Sequence, residues 1–105
     1  MAFTGDEGAP IDAAIAGDWT RRYRTKNPGA TQGHFFGRVI LEQLLAESGS
    51  KGIRLYHGLD ANGQRQVLAV AADGEENDML GKDCIVADDS VPCPSACSNS
   101  NVLNS

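Results

Sequence analysis

Three cysteines carry the strongest chemical signal in the sequence. Cys93 and Cys97 stand four apart in Val91-Pro92-Cys93-Pro94-Ser95-Ala96-Cys97, and Cys84 lies upstream of the pair. Thiolates grouped in a loop can bind zinc, and His34 or His57 could supply the fourth donor of a tetrahedral site. The spacing departs from that of structural zinc sites, whose ligands come as two knuckles of paired donors about two to four apart. The same residues are compatible with a disulfide, either Cys93–Cys97 or one containing Cys84, and with unpaired thiols in local packing roles. A redox thiol needs a neighbour that stabilises its thiolate, whereas Asp83, Asp88 and Asp89 would raise a nearby thiol's pKa.

A second candidate is His34, just before Phe35-Phe36. A neutral imidazole there could act as acid or base, with the Asn77-Asp78 loop as a polar neighbour. The plainer reading is a hydrogen-bonded histidine near a helix start. No nucleophile elbow, paired-carboxylate spacing or histidine pair joins the other polar residues into a catalytic constellation. Asp60-Ala61-Asn62-Gly63-Gln64 resembles the start of a calcium loop, but Ala71 stands where the bidentate glutamate would be, so a hairpin turn is expected instead. No glycine-rich phosphate loop follows a strand, so no nucleotide cofactor is expected.

Charge supplies a third set. Arg21, Arg22, Arg24 and Lys26 crowd into one helical turn and a half, while Asp73, Glu75, Glu76, Asp78, Asp83, Asp88 and Asp89 face only Lys82 between positions 73 and 89. The net charge of −5 therefore describes a local acidic patch on a nearly neutral chain. An acidic balance argues against nucleic acid and anionic membrane as partners. Arg21, Arg22, Arg24, Lys26, Asp73, Glu75 and Glu76 are instead candidate interaction residues.

These groups need a scaffold, and 105 residues with 41% hydrophobic and 22% charged content allow one α+β domain. Residues 1–9 read as a loose tail and 98–105 as another. Ile11, Ile15, Trp19 and Tyr23 recur at helical spacing after Pro10, and Asn27-Pro28-Gly29 ends that helix. Phe35, Phe36, Val39, Ile40, Leu41, Leu44 and Leu45 predict a second helix over 33–47, with His34 in its first turn. The period then changes to two. Ile53, Leu55, His57 and Leu59 share one strand face, Arg54 and Tyr56 the other, and 66–72 returns as the partner strand of a hairpin. Cys84-Ile85-Val86-Ala87 offers a short third strand, and the cysteine-containing end reads as irregular. The expected architecture is two N-terminal helices on one face of a small antiparallel sheet built around the 53–72 hairpin.

The segments Arg22–Gly37, Gly52–Asp73, Asn77-Asp78-Met79-Leu80 and Pro92-Cys93-Pro94-Ser95-Ala96-Cys97 resemble a family of small uncharacterised bacterial proteins. The resemblance covers most of residues 11–105. It implies no activity, cofactor or catalytic residue, because the family has none assigned. Similar chains often carry a cysteine just before the Gly-Ile-Arg strand, where Ser50 stands here, which argues against a shared four-thiol metal site.

The N-terminal residues show no positive region followed by an apolar run, and no stretch reaches the ~18 apolar residues of a membrane span, so a cytoplasmic protein is expected. The function the sequence favours is a non-catalytic interaction or self-associating module, a homodimer or the partner of a larger protein. The alternatives are a small redox or metal-linked protein acting through Cys84, Cys93 and Cys97, and a small enzyme using His34. Pairing of the acidic segment with the Arg/Lys cluster of a neighbouring copy predicts association that weakens as salt rises. Sedimentation at about 50 mM and about 500 mM salt, which brackets the screening range, checks this.

Overall fold

The computed structural model describes residues 2–105. In chain order the elements are α1 (Ala13–Lys26), β1 (Gly33–Phe35), α2 (Arg38–Ala46), β2 (Gly52–Leu59), β3 (Arg65–Ala72), β4 (Val86–Ala87) and β5 (Val91–Cys93). This is a mixed helix and sheet architecture with antiparallel pairing throughout. Two compact units are formed, one from residues 2–7 with Phe36–Ser90 and the other from Gly8–Phe35 with Val91–Ser105. No helix among the described residues is long and apolar enough to cross a membrane.

The first unit is built on the expected hairpin. β2 and β3 pair from Gly52 opposite Ala72 to Leu59 opposite Arg65, and β4 adds to the far side of β3. The connecting loop closes on itself. Asp60 N–H donates to Gln64 O at 3.0 Å and Gly63 N–H to Asp60 O at 2.9 Å. Gly63 takes φ of 77°, a conformation that favours glycine. The Asp60 carboxylate accepts from the N–H groups of Asn62 and Gln64, both at 2.9 Å, so the calcium-like sequence is spent on its own backbone.

Antiparallel pairing puts Ala69 and Ala71 on the same face as Leu55 and Ile53. Both alanines are fully buried, and with Leu44 and Ala87 they form the core, flanked by Phe36, Ile40, Ile53 and Met79. The helix on this face is α2, which packs on β2 and β3. Methyl side chains on β3 leave room for a leucine from above, and Leu44 is the one large side chain fully buried among the described residues.

α2 begins later than its apolar spacing suggests. Residues 33–35 are strand, Gly37 is the N-cap, and Leu41 N–H donates to Gly37 O at 3.4 Å. Gly33 and Gly37 weaken any helix across this stretch. An extended backbone instead pairs with β5, Gly33 opposite Cys93, His34 opposite Pro92 and Phe35 opposite Val91. His34 is therefore a strand residue and not part of a helical first turn. By the same pairing, residues 91–93 are a strand, where an irregular segment was expected.

In the second unit, α1 starts at Ala13 because the Asp12 carboxylate accepts from the N–H groups of Ala14 at 2.8 Å and Ile15 at 3.4 Å. Pro10 thus precedes the helix and does not open it. Asn27 ends the helix as expected, its N–H donating to Tyr23 O at 2.9 Å. Residues 101–105 lie along α1. A Cβ at Gly17 would come within 2.5 Å of Val102 O, and Arg24 donates to Leu103 O at 2.8 Å and Ser105 O at 2.7 Å. Of the two helices expected on the sheet, α1 belongs to this second unit.

Replacing Leu44 with alanine leaves a cavity against Ala69 and Ala71, with an expected loss of about 3 kcal/mol in urea unfolding. Ala71→Leu overpacks the same contact and is expected to cost about 1–3 kcal/mol.

Candidate functional site

The densest polar cluster lies on the face of β2 opposite the core. Arg54 and Tyr56 are two apart on the strand, so their side chains leave the same side. Asp78 is brought to them by an isolated antiparallel bridge between Asp78 and Ala72. Its carboxylate accepts from Arg54 Nη1 through Oδ1 and from the Tyr56 hydroxyl through Oδ2, both at 2.5 Å. Arg54 Nη1 also donates to Glu76 O at 3.2 Å, and the guanidinium lies over the Phe3 ring at 5.3 Å from its centroid. Sequence placed Arg54 and Tyr56 together on this face but gave no sign that Asp78 would reach them.

The loop that delivers Asp78 is organised by another carboxylate. Asp73 Oδ1 accepts from the N–H groups of Glu75 at 2.9 Å and Asn77 at 3.0 Å, while Asp73 N–H donates to Asn77 O at 2.9 Å. Asp73 and Asp78 are thus fold-holding groups, and Glu75 is left exposed. Beside the cluster an open cleft of about 350 Å³ is lined by Phe3, Glu7, Lys51, Ile53 and Arg54, among others. Glu7 is already engaged by the N–H groups of Thr4 and Gly5, both at 2.9 Å.

The electrostatics follow from these contacts. The Tyr56 hydroxyl and then the Arg54 guanidinium hold the Asp78 carboxyl below its usual range. Its negative charge in turn raises the pKa of Tyr56 and of Arg54. A carboxylate with both oxygens occupied and its basicity lowered is a poor proton acceptor, so the chemistry is that of an ion-pair clip between β2 and the loop.

The cysteines divide between the units. Cys93 and Cys97 are joined by a disulfide across a Cα–Cα distance of 4.9 Å, closing a loop at the end of β5. Cys84 is a free, half-buried thiol in the first unit. Burial pushes its pKa up, and the Glu47 carboxylate beside it adds to the shift. The backbone around the thiol is fixed by Ile85 N–H, which donates to Glu47 Oε2 at 3.2 Å. A thiol kept protonated is a weak nucleophile and a weak metal ligand. Among the described residues no group of three or more His, Cys, Asp or Glu side chains could hold a metal ion.

His34 is half-buried in β1, opposite Pro92. It and Asp78 fall in different units, each with its own neighbours. His57 is exposed on β2, opposite Val67. In the basic cluster Arg21 pairs with Asp18 at 3.0 Å and Arg24 is committed to the carbonyls of Leu103 and Ser105. Arg21, Arg22 and Lys26 line a shallow depression with Asp18 and Thr25. No family model, curated protein or solved structure matches the chain.

The clip predicts a pH dependence with a definite sign. Because the folded state depresses the Asp78 pKa, its contribution is complete above about pH 4 and is lost as pH falls through the folded value. The raised Tyr56 pKa works in the opposite direction: its share is present below about pH 10 and lost as pH rises through the folded value. Urea unfolding of Asp78→Asn should show a deficit at pH 7 that narrows towards pH 2–3, values on either side of the reference carboxyl pKa of about 4. A deficit that does not change with pH would remove the ion pair from the account.

Proposed function

We propose that the chain is a non-catalytic interaction module that associates with a second copy of itself, in the bacterial cytoplasm. The observation that carries this reading is an inversion of side-chain size. The buried apolar set is Leu44, Val70 and four alanines, while Trp19 is 60% exposed, Leu55 57%, Phe35 65% and Leu59 72%. Soluble monomers seldom leave contiguous large apolar side chains in water. On α1 the row Ile11, Ile15, Trp19 and Tyr23 is exposed along its length.

Magnitudes set the expected affinity. Fully burying a large apolar side chain is worth about 1.5–3 kcal/mol, and these four are roughly half-exposed. A two-fold contact doubles the gain, but association costs at least about 4 kcal/mol, so the α1 row alone supports a contact no tighter than about micromolar. Arg22 and Lys26 beside that row, facing exposed Glu75 of another copy, would add steering more than affinity. The acidic balance of the chain supports a partner other than nucleic acid.

The Cys93–Cys97 disulfide favours a second reading, a redox-linked protein, since such a bond in a reducing cytoplasm would exchange with the thiol pool. One measurement separates the two. Native mass spectrometry at about 10–100 µM, the range set by that affinity, is expected to show a dimer with or without reductant, weakened by Trp19→Ser. A strictly monomeric mass overturns the self-association reading, and a dimer that exists in only one redox state transfers the function to the cysteines.

A further inference from the structure

We propose that the free edge of β2 is the self-association surface, pairing antiparallel with β2 of a second copy about a two-fold axis at Tyr56. The proposal rests on the self-association reading above and names where the copies meet.

β2 lies at the edge of its sheet, with β3 as its one neighbour. The hydrogen-bond parity of the hairpin shows which backbone groups are free. Asp60 N–H donates to Gln64 O, so the bonded pairs of the ladder are the even residues: Gly58 with Gln66, Tyr56 with Leu68, Arg54 with Val70 and Gly52 with Ala72. The far side of β3 agrees, since Met79 N–H donates to Ala71 O, an odd position. The N–H and C=O groups of Ile53, Leu55, His57 and Leu59 therefore point outward. No hydrogen bond to any of them from another segment occurs among the described residues.

The usual protections of an edge are absent. β2 contains no proline, no lysine and no charge facing the core, and its outward residues include the exposed Leu55 and Leu59. Such an edge is a template for another strand.

Self-complementarity selects a second β2 and one register. With Tyr56 opposite Tyr56 of the other copy, Ile53 lies opposite Leu59 and Leu55 opposite His57. All outward groups of both strands are then used, for about eight inter-chain hydrogen bonds. A slip of two residues either way brings Lys51 or Ala61 into the ladder. Lys51 N–H is already committed to Ala72 O, and Ala61 sits in the turn, so about two bonds are lost. A larger slip sets Arg54 against Arg54. In the chosen register Arg54 faces Gly58, and the exposed Leu59 gains an isoleucine neighbour. The two three-stranded sheets become one continuous sheet.

Two variants test this. Leu55→Pro removes an outward N–H and no bond to β3, so the fold is retained by circular dichroism while the dimer dissociation constant rises at least about tenfold. In a Cys84→Ser background, Tyr56→Cys places two thiols across the axis, at a Cα separation of about 4.5 Å, within disulfide range. Mild oxidation should link that dimer. Gly58→Cys should not link, because its twin lies about 13 Å away. If wild type is dimeric but Leu55→Pro stays as tightly dimeric, or Tyr56→Cys fails to link, the edge is not the contact and the self-association reading survives. A monomeric wild type overturns both and leaves the edge to an extended segment of another protein. Should Leu55→Pro fail to fold, the cross-link decides.

Discussion

How little side chain β3 carries is the constraint on which the first unit depends. Ala69, Ala71 and Ala87 cover the sheet with methyl groups, so the space between sheet and helix must be filled from the helix side, by Leu44, Ile40 and Phe36. That arrangement fixes the height of α2 above the sheet and the rotation that turns Leu44 inward. It also explains why α2 can be as short as Arg38–Ala46: two turns suffice to span the alanines. The cost is a thin core. Val39 and Leu45, on the remaining helix surface, stay in water.

Polar contacts on the other face make good part of what a thin core lacks. Asp78 crosses from the loop after β3 to two side chains of β2, spanning β3 itself, so the loop cannot leave without breaking both bonds. Phe3 is held nearby, its N–H donating to Gly74 O at 3.0 Å and its ring under Arg54. The acidic segment is therefore in part a folded loop whose charges are used internally, which reduces what is left for a partner. In the second unit Arg24 plays the corresponding part, tying residues 103 and 105 to α1.

Much of the hairpin was legible because two local signals agree there: alternation along both strands and turn chemistry at Asp60 and Gly63. The end of α1 was legible for the same reason, at Asn27-Pro28-Gly29. What escaped were features decided by distant partners. Phe35 and Phe36 satisfy a helical pattern and a strand equally, and pairing with Val91–Cys93 settles the choice. Gly17 gives no local hint that Val102 packs on it, and Arg24 reads as a helix-dipole cation until its carbonyl partners are seen. For the candidate site, the shared face of Arg54 and Tyr56 followed from strand period. Its third member, Asp78, looked like one acid of a solvated run. The cysteine pair was visible, but spacing alone could not separate metal, disulfide and free thiol.

Trp19 is the sole tryptophan and stands on the exposed row of α1. The dominant intrinsic fluorophore thus sits in the unit that lacks Leu44 and the alanine core. Its emission starts from a solvated environment, so loss of the hairpin core would change it little, whereas covering α1 would blue-shift it. Fluorescence, the customary optical probe of unfolding, reports here on the surface of one helix, and the melting of β2 and β3 has to be followed through far-ultraviolet dichroism or the Tyr56 ring.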